Sequence, residues 1–104
     1  MIPDKVKIDC VTYSISEVEG PIIVDHRECR GSIDYNTNKI EILSSIGESQ
    51  SKVTLAHEVA HGIIYERGLD LPTTSEETIV DEVGKAFIQI IRDNPDIVSY
   101  FKEG

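Results

Sequence analysis

The sequence is short of basic residues, of cysteine and of long apolar runs, and each shortage excludes a class of protein. Its 104 residues hold 10 Lys and Arg against 19 Asp and Glu, which gives a formal net charge of -9 at pH 7. Such a surplus of acidic side chains repels the phosphate backbone of nucleic acids and the anionic surface of membranes. We therefore expect no nucleic-acid partner and no membrane partner.

No segment has the composition of a membrane span or of an export signal. The apolar runs fall short of the roughly 18 to 20 residues that a transmembrane helix needs, and residues 1–5 lack the basic-then-apolar order of a secretory signal. We therefore expect a cytoplasmic protein in which Cys10 and Cys29 are free thiols. The length and the 39% content of hydrophobic residues fit one domain over residues 1–104.

The hydrophobic pattern of the first half predicts strands. Apolar side chains alternate along residues 5–18, as in one or two half-buried strands. They alternate again along residues 31–35 and Lys39–Leu43, which flank a turn-rich connector typical of a hairpin. Residues 25–30 are polar and are predicted to form a loop. We expect a small antiparallel sheet.

The second half predicts two long helices and therefore an α+β fold. Apolar residues recur at helical spacing over residues 51–67, and Gly68 supplies a helix-ending residue. A second helix begins near Thr74 and stops at residues 94–95. Asp96 caps a last helical turn that docks on the core. The core face predicted for the second helix is Ile79, Val80, Val83, Ala86, Phe87, Ile90 and Ile91, opposite Thr78, Glu82, Lys85, Gln89 and Arg92.

The first predicted helix carries an H-E-x-x-H motif at residues 57–61. The i, i+4 spacing puts His57 and His61 on one face, roughly 6 Å apart, where both can bind one tetrahedral Zn2+. Glu58 projects beside the metal, close enough to take a proton from a bound water as in zinc hydrolases. The alternative is an ordinary amphipathic helix with solvated histidines. The motif favours His57 and His61 as metal ligands and Glu58 as the catalytic base.

A catalytic zinc usually has three protein ligands and one open position, so a third donor is needed. Glu77 is the candidate, because it lies with Asp81 at the edge of the apolar face of the second helix. Glu77 can instead complete a capping box with Thr74. Asp81 can orient a metal-bound histidine, or ligate the metal directly. Gly84 follows on the same strip, where it would either allow the two helices to approach closely or be a tolerated glycine with no such role.

An oxyanion formed during peptide hydrolysis usually needs one more hydrogen-bond donor. Tyr65 is a candidate, because it extends the stripe of the two histidines by four residues. Tyr35 and His26 are alternatives. Tyr65 can equally be an amphipathic residue at the helix rim, and His26 an exposed loop histidine.

His57-Glu58-x-x-His61 followed by Glu77-x-x-x-Asp81 resembles the gluzincin pattern of zinc metallopeptidases related to thermolysin. From residues 31–35 to residues 92–95 the chain is also similar to small bacterial and phage proteins of the minigluzincin and ImmA/IrrE-like kind. The resemblance implies a zincin-like fold, with Glu77 as third ligand and Asp81 orienting the site. It also implies a peptide or protein substrate, bound as an added strand along Lys39–Leu43.

We therefore expect a zinc-dependent metallopeptidase, with two alternatives from other classes. One is a non-catalytic, metal-stabilised module of phage or prophage type that binds a partner protein through its acidic surface or a free strand edge. A structural zinc site prefers four protein ligands and has no use for a free carboxylate such as Glu58. The other alternative is an acidic binding protein that holds no metal.

Overall fold

The fold combines one four-stranded sheet, a separate hairpin and three helices over residues 2–103, the part of the chain that this computed structural model describes. The α+β class predicted from the sequence is confirmed. None of the helices in this range is long and apolar enough to cross a membrane. The elements in chain order are β1 (Lys5–Ile8), β2 (Val11–Val18), β3 (Ile22–Val24), β4 (Arg27–Cys29), β5 (Gly31–Asp34), β6 (Lys39–Leu43), α1 (Glu48–Glu66), α2 (Glu76–Asp93) and α3 (Pro95–Lys102).

The main sheet is mixed, so the antiparallel sheet expected from the sequence is wrong. Its strand order is β1-β2-β6-β5. The β1–β2 and β5–β6 pairs are antiparallel, whereas β2 and β6 run parallel with Ile15 opposite Ile40. After β2 the chain passes through the β3–β4 hairpin, forms β5 at the far edge and returns as β6 between them. Apolar and polar residues alternate in the same way in parallel and antiparallel strands, so the sequence pattern could not reveal that β2 and β6 run parallel.

The position of β6 corrects a second expectation. The resemblance implies that a peptide adds as a strand along Lys39–Leu43, which requires a free edge on β6. This strand lies instead between β2 and β5, and both of its edges are paired. The edge strand on this side of the sheet is β5, which packs against α1.

Residues 25–30, predicted as a loop, contain a strand. Arg27–Cys29 forms β4, which pairs antiparallel with β3 around the two-residue turn of Asp25 and His26. Both turn residues have positive φ, 51° and 65°. A two-residue turn in which both residues are left-handed matches the twist of the strands in a tight hairpin. Short polar residues adopt this left-handed conformation more readily than most others.

The core lies between one face of the sheet and α1. Alternate residues of each strand point inward, as the period of two requires. Gly62 lets the helix approach the sheet, because a Cβ there would lie 2.5 Å from Cδ1 of Ile8. Burying each large aliphatic side chain contributes about 1.5 to 3 kcal/mol. Core residues of these elements are Val6, Ile8, Tyr13, Ile15, Ile40, Ile42, Leu55, Val59 and Ile63.

The helix boundaries follow the sequence pattern closely, but α2 turns a different face to the core. Its buried residues are Ala86, Gln89 and Ile90. Val80, Phe87 and Ile91, predicted to be buried, are 62%, 57% and 61% exposed. Gly84 does not mark a close contact between helices, because a Cβ there would meet no atom within 4 Å among residues 2–103.

Hydrogen bonds to β1 explain why α2 buries this face rather than the predicted one. Asn94, at the C-cap, accepts from the Lys7 N–H at 2.7 Å and donates to the Lys7 carbonyl at 2.9 Å. Gln89 accepts from the Asp9 N–H at 2.8 Å and donates to the same carbonyl at 3.0 Å. Buried backbone groups need partners, and the two amides supply them. The outer edge of β1 is therefore closed to a further strand.

The third helix forms, but the expected cap is wrong, because Asn94 is the N-cap and Asp96 lies in the first turn of the helix. Pro95 occupies its first turn, where a missing N–H costs nothing. Ile97 and Tyr100 are buried, with 1% and 3% of their surface exposed. The helix therefore docks on the core at the end of the described chain.

Candidate metal centre

The two motif histidines meet on the exposed side of α1. Nε2 of His57 and Nε2 of His61 are 3.1 Å apart, and the rings are close to perpendicular, at 77°. Two nitrogens bound to one tetrahedral zinc at about 2.0 to 2.1 Å lie about 3.3 Å apart. The pair therefore fits two neighbouring ligands of a single metal ion.

Glu58 lies beside this pair but on the buried side of the helix, with 6% of its surface exposed. Burial raises the pKa of its carboxyl group above the ordinary value, while the charges of His57 and His61 act in the opposite direction. No hydrogen bond holds this carboxylate within residues 2–103. Its oxygens are therefore left available to a ligand at the site.

Gly31 of β5 allows the strand to pass directly over Glu58. A Cβ at Gly31 would lie 2.6 Å from Cγ2 of Thr54 and 3.2 Å from Oε2 of Glu58. Two adjoining cavities of about 290 and 300 Å³ run along this strand, and both are lined by Cys29, Gly31, His57 and Glu58. His57 and Glu58 of the motif therefore face the edge of β5.

The candidate oxyanion donors occupy different positions. Tyr35 lines the larger of these cavities with both histidines, and its hydroxyl donates to the His61 carbonyl at 3.5 Å. Tyr65 stacks on the Tyr35 ring at 3.9 Å and is 53% exposed. His26 lies at the exposed tip of the β3–β4 hairpin. Burial raises the pKa of Tyr35, and the charge of Glu58 adds to that effect. The structure thus places Tyr35, rather than Tyr65, in the cavity.

The two acidic candidates on α2 do not join the histidines. Glu77 and Asp81 are both exposed. Within residues 2–103, no group of three or more His, Cys, Asp or Glu side chains is close enough to hold a metal ion. The alternative role of Glu77, in a capping box with Thr74, is also absent from this range, because Ser75 is the N-cap and accepts from the Thr78 N–H at 3.2 Å.

An apolar groove separates α1 from α2 and accounts for this distance. It encloses about 320 Å³, and its walls include Ala60, Ile64, Phe87, Ile91 and Phe101. The hydrogen bonds to β1 hold α2 away from α1, so the groove between the two helices stays open to solvent. Sequence periodicity could not reveal this gap, because it does not define which elements pack together.

Sequence reasoning missed two residues of the site, Cys29 and Gly31. Cys29 is a free thiol, and its Sγ lies 3.6 Å from the Arg27 carbonyl. It precedes His57 by 28 residues, and only the path of β4 and β5 along α1 brings the two together. A glycine within an alternating strand was the one available signal, because such a residue often marks a close backbone approach.

Comparison with protein-family models, with curated proteins and with solved structures found no match to this chain. The functional argument therefore depends on the residues and the geometry described above.

Proposed function

We propose that this protein is a zinc-dependent metallopeptidase with a zincin-like active site. The observation that carries the proposal is the 3.1 Å separation of the His57 and His61 Nε2 atoms, with the buried Glu58 beside them. A structural zinc site has no use for that carboxylate, whereas hydrolysis requires a base there. The free thiols Cys10 and Cys29 are compatible with the reducing cytoplasm, which we propose as the location of the protein.

Glu58 is the proposed general base. Zinc, when bound, lowers the pKa of water and polarises a peptide carbonyl. Glu58 accepts the proton of the attacking water on a carboxylate oxygen and then donates it to the leaving amine. Its burial favours the protonated form, which suits a group that must hold a proton between the two transfers.

His57 and His61 are two of the proposed metal ligands, and Glu77 is the proposed third. Ligation by Glu77 requires the start of α2 to move towards α1, because its side chain is exposed and distant from the pair. Asp81 would then orient one of the histidines, or replace Glu77 as ligand. Tyr35 replaces Tyr65 as the proposed oxyanion donor, since it lines the same cavity as the histidines.

An extended peptide is the proposed substrate, bound by strand addition to β5. The Leu43 N–H donates to the Arg30 carbonyl at 2.8 Å, so by alternation Gly31 and Ile33 direct their backbone groups away from β6. Neither residue forms a backbone hydrogen bond on that outer side to any other part of residues 2–103. The opposite edge of the sheet is covered by Gln89 and Asn94, which leaves β5 as the available edge.

The test is the metal content of protein purified without a histidine tag, measured by inductively coupled plasma mass spectrometry after reconstitution with zinc. We expect one zinc per chain in the wild type. His57→Ala should lose the metal, Glu77→Ala should weaken its binding, and Glu58→Ala should retain it. A peptide library should be cleaved by the wild type and not by Glu58→Ala. A wild type that binds no zinc at neutral pH would overturn the proposal.

The second candidate is a non-catalytic, metal-stabilised module that binds a partner protein. The acidic surface, with a net charge of -9, and the edge of β5 left free within residues 2–103 are the features that favour it. The two candidates differ in their dependence on Glu58. The module predicts that zinc raises the melting temperature while no peptide is cleaved, and that Glu58→Gln leaves partner binding unchanged.

A further inference from the structure

One face of α2 is apolar and stays largely exposed within residues 2–103, although two of its residues, Phe87 and Ile91, also line the groove beside α1. Val80, Gly84, Phe87 and Ile91 follow each other at spacings of four, three and four residues, and Ile88 lies beside them. Phe87 and Ile88 are 57% and 64% exposed. The spacing is that of a two-helix coiled-coil seam. This face therefore has the pattern of a helix that packs on a second helix, and we call it the α2 seam.

Gly84 lies at the centre of the α2 seam. A glycine inside a helix is unfavourable, and it persists where a backbone must come close to another group. Within residues 2–103 nothing approaches it, since a Cβ there would meet no atom within 4 Å. A contact with a second molecule would explain why a glycine lies here, because two helices can cross closely at a position without a side chain.

Four charged residues border the α2 seam in an order that complements itself. Glu77 and Asp81 precede Gly84, and Lys85 and Arg92 follow it. At about 100° per residue, all four lie on the same side of the seam. In the metal-free protein, an antiparallel pair of α2 helices that crosses at Gly84 puts Glu77 within about 2 Å of the level of Arg92 of the second copy. Asp81 lies within about 3 Å of the level of Lys85 of the second copy, which also pairs with Glu82 of its own chain at 3.2 Å.

We propose that the α2 seam binds a second copy of this chain, forming a symmetric antiparallel dimer. A two-fold interface must be complementary to itself, and the order of these charges meets that condition. Two acidic and two basic residues balance locally, although each copy carries a net charge of -9. The remaining repulsion is screened over about 8 Å at physiological salt. Val80 and Phe87 of the two copies pack on the other side of the seam.

Sedimentation velocity over about 1 to 200 µM protein tests the dimer, in 0.15 M salt with a chelator so that metal binding makes no contribution. The wild type should shift from monomer to dimer across this range. Phe87→Glu should weaken association at least about tenfold, because it places a charge in an apolar interface. Ile23→Glu is the matched control, since Ile23 is 55% exposed on β3 and should leave association unchanged.

A charge exchange tests the antiparallel register. Glu77→Arg and Arg92→Glu should each weaken association by several-fold, and the double variant should restore it. The two residues are 15 positions apart, about 22 Å along one helix, so they cannot pair within a chain. Circular dichroism should show unchanged helix content in every variant.

Three results would overturn the dimer proposal. The first is a wild type that stays monomeric over the whole range, which is also the outcome expected if the α2 seam binds another protein. The second is a Phe87→Glu variant that associates like the wild type. The third is a double charge exchange that fails to restore what the single reversals lose.

Discussion

The Glu58 side chain is 6% exposed, and burial raises the pKa of its carboxyl group, so ionising this group lowers stability. The surrounding residues offer no hydrogen bond that would offset this cost within residues 2–103. A residue that is unfavourable for folding but retained in a cavity is typical of a functional site. The stability cost at the proposed site is therefore concentrated in this one side chain.

We predict that Glu58→Gln stabilises the metal-free protein at pH 7, by on the order of 1 kcal/mol. The folded pKa of Glu58 is raised, so its ionisation costs folding free energy at neutral pH. As the pH falls below the ordinary value of 4.5, the carboxyl group becomes neutral in both states and the difference should shrink. Urea unfolding at pH 7 and at acidic pH measures this. A destabilised variant at pH 7 would contradict the prediction.

Gly31 gives a second prediction at the scale of single residues. Gly31→Ala should destabilise the protein by about 1 to 3 kcal/mol, because its Cβ would lie 2.6 Å from Cγ2 of Thr54 and 3.1 Å from the Glu41 carbonyl oxygen. Gly84→Ala is the matched control. No atom of the described chain lies within 4 Å of a Cβ there, so better helix propensity should stabilise it by up to about 1 kcal/mol. Urea unfolding at low protein concentration compares the two, and equal effects would refute the contact argument.

At the scale of elements, the contact between α2 and β1 is made by amide side chains as well as by apolar packing. Asn94 joins the end of α2, the start of α3 and the edge of β1. It is 7% exposed. This contact orients α2. It therefore also determines the width of the groove beside α1 and the exposure of the α2 seam.

Asn94→Ala should therefore cost about 2 to 3 kcal/mol. It removes hydrogen bonds to the Lys7 N–H, the Lys7 carbonyl and the Ile90 carbonyl, and leaves the part-buried Lys7 N–H without its side-chain acceptor, while Gln89 still donates to the Lys7 carbonyl. Asn36→Ala is the control, because Asn36 is exposed in the turn before β6. Chemical unfolding of both variants measures the difference. A cost below about 0.5 kcal/mol for Asn94→Ala would show that apolar packing alone positions α2.

At the scale of the whole molecule, one ion-pair network joins three separate parts of the fold. Arg67, just after α1, pairs with Asp9 at 2.7 Å and with Glu82 of α2 at 3.0 Å. Lys85 adds a second cation to Glu82 at 3.2 Å. The network connects the β1–β2 turn with both long helices, so its charge state affects the docking of α2.

The network makes a prediction for acid unfolding. Hydrogen bonds from Lys85 and Arg67 hold the pKa of Glu82 below its ordinary value of 4.5. A lowered folded pKa contributes stability above the unfolded pKa, and that contribution is lost as the pH falls through the folded value. Glu82→Gln should therefore be less stable at neutral pH and should lose less stability on acidification than the wild type. Urea midpoints from pH 7 to pH 3 measure this, with the exposed Glu28→Gln as control. Parallel curves for Glu82→Gln and wild type would contradict the prediction.

The sequence by itself determined the local structure of this protein. Side-chain alternation predicted strands for β1, β2, β5 and β6, and the 3.6-residue period located α1 and α2, because both signals come from neighbouring residues. The i, i+4 spacing likewise determined that His57 and His61 share one side of a helix. Glu58 lies on the adjoining side of α1, which packs on the sheet, and its side chain is therefore buried.

Only the tertiary structure decided which elements meet. The central position of β6, the free edge of β5 and the approach of Cys29 and Gly31 to the motif depend on strand pairing between distant segments. The face that α2 buries is decided by the side-chain amides of Gln89 and Asn94, which hydrogen-bond the backbone at β1. These hydrogen bonds leave Val80, Phe87 and Ile91 exposed. Local periodicity carries no information on such long-range pairing, so the distance between Glu77 and the histidines could be read only from the fold.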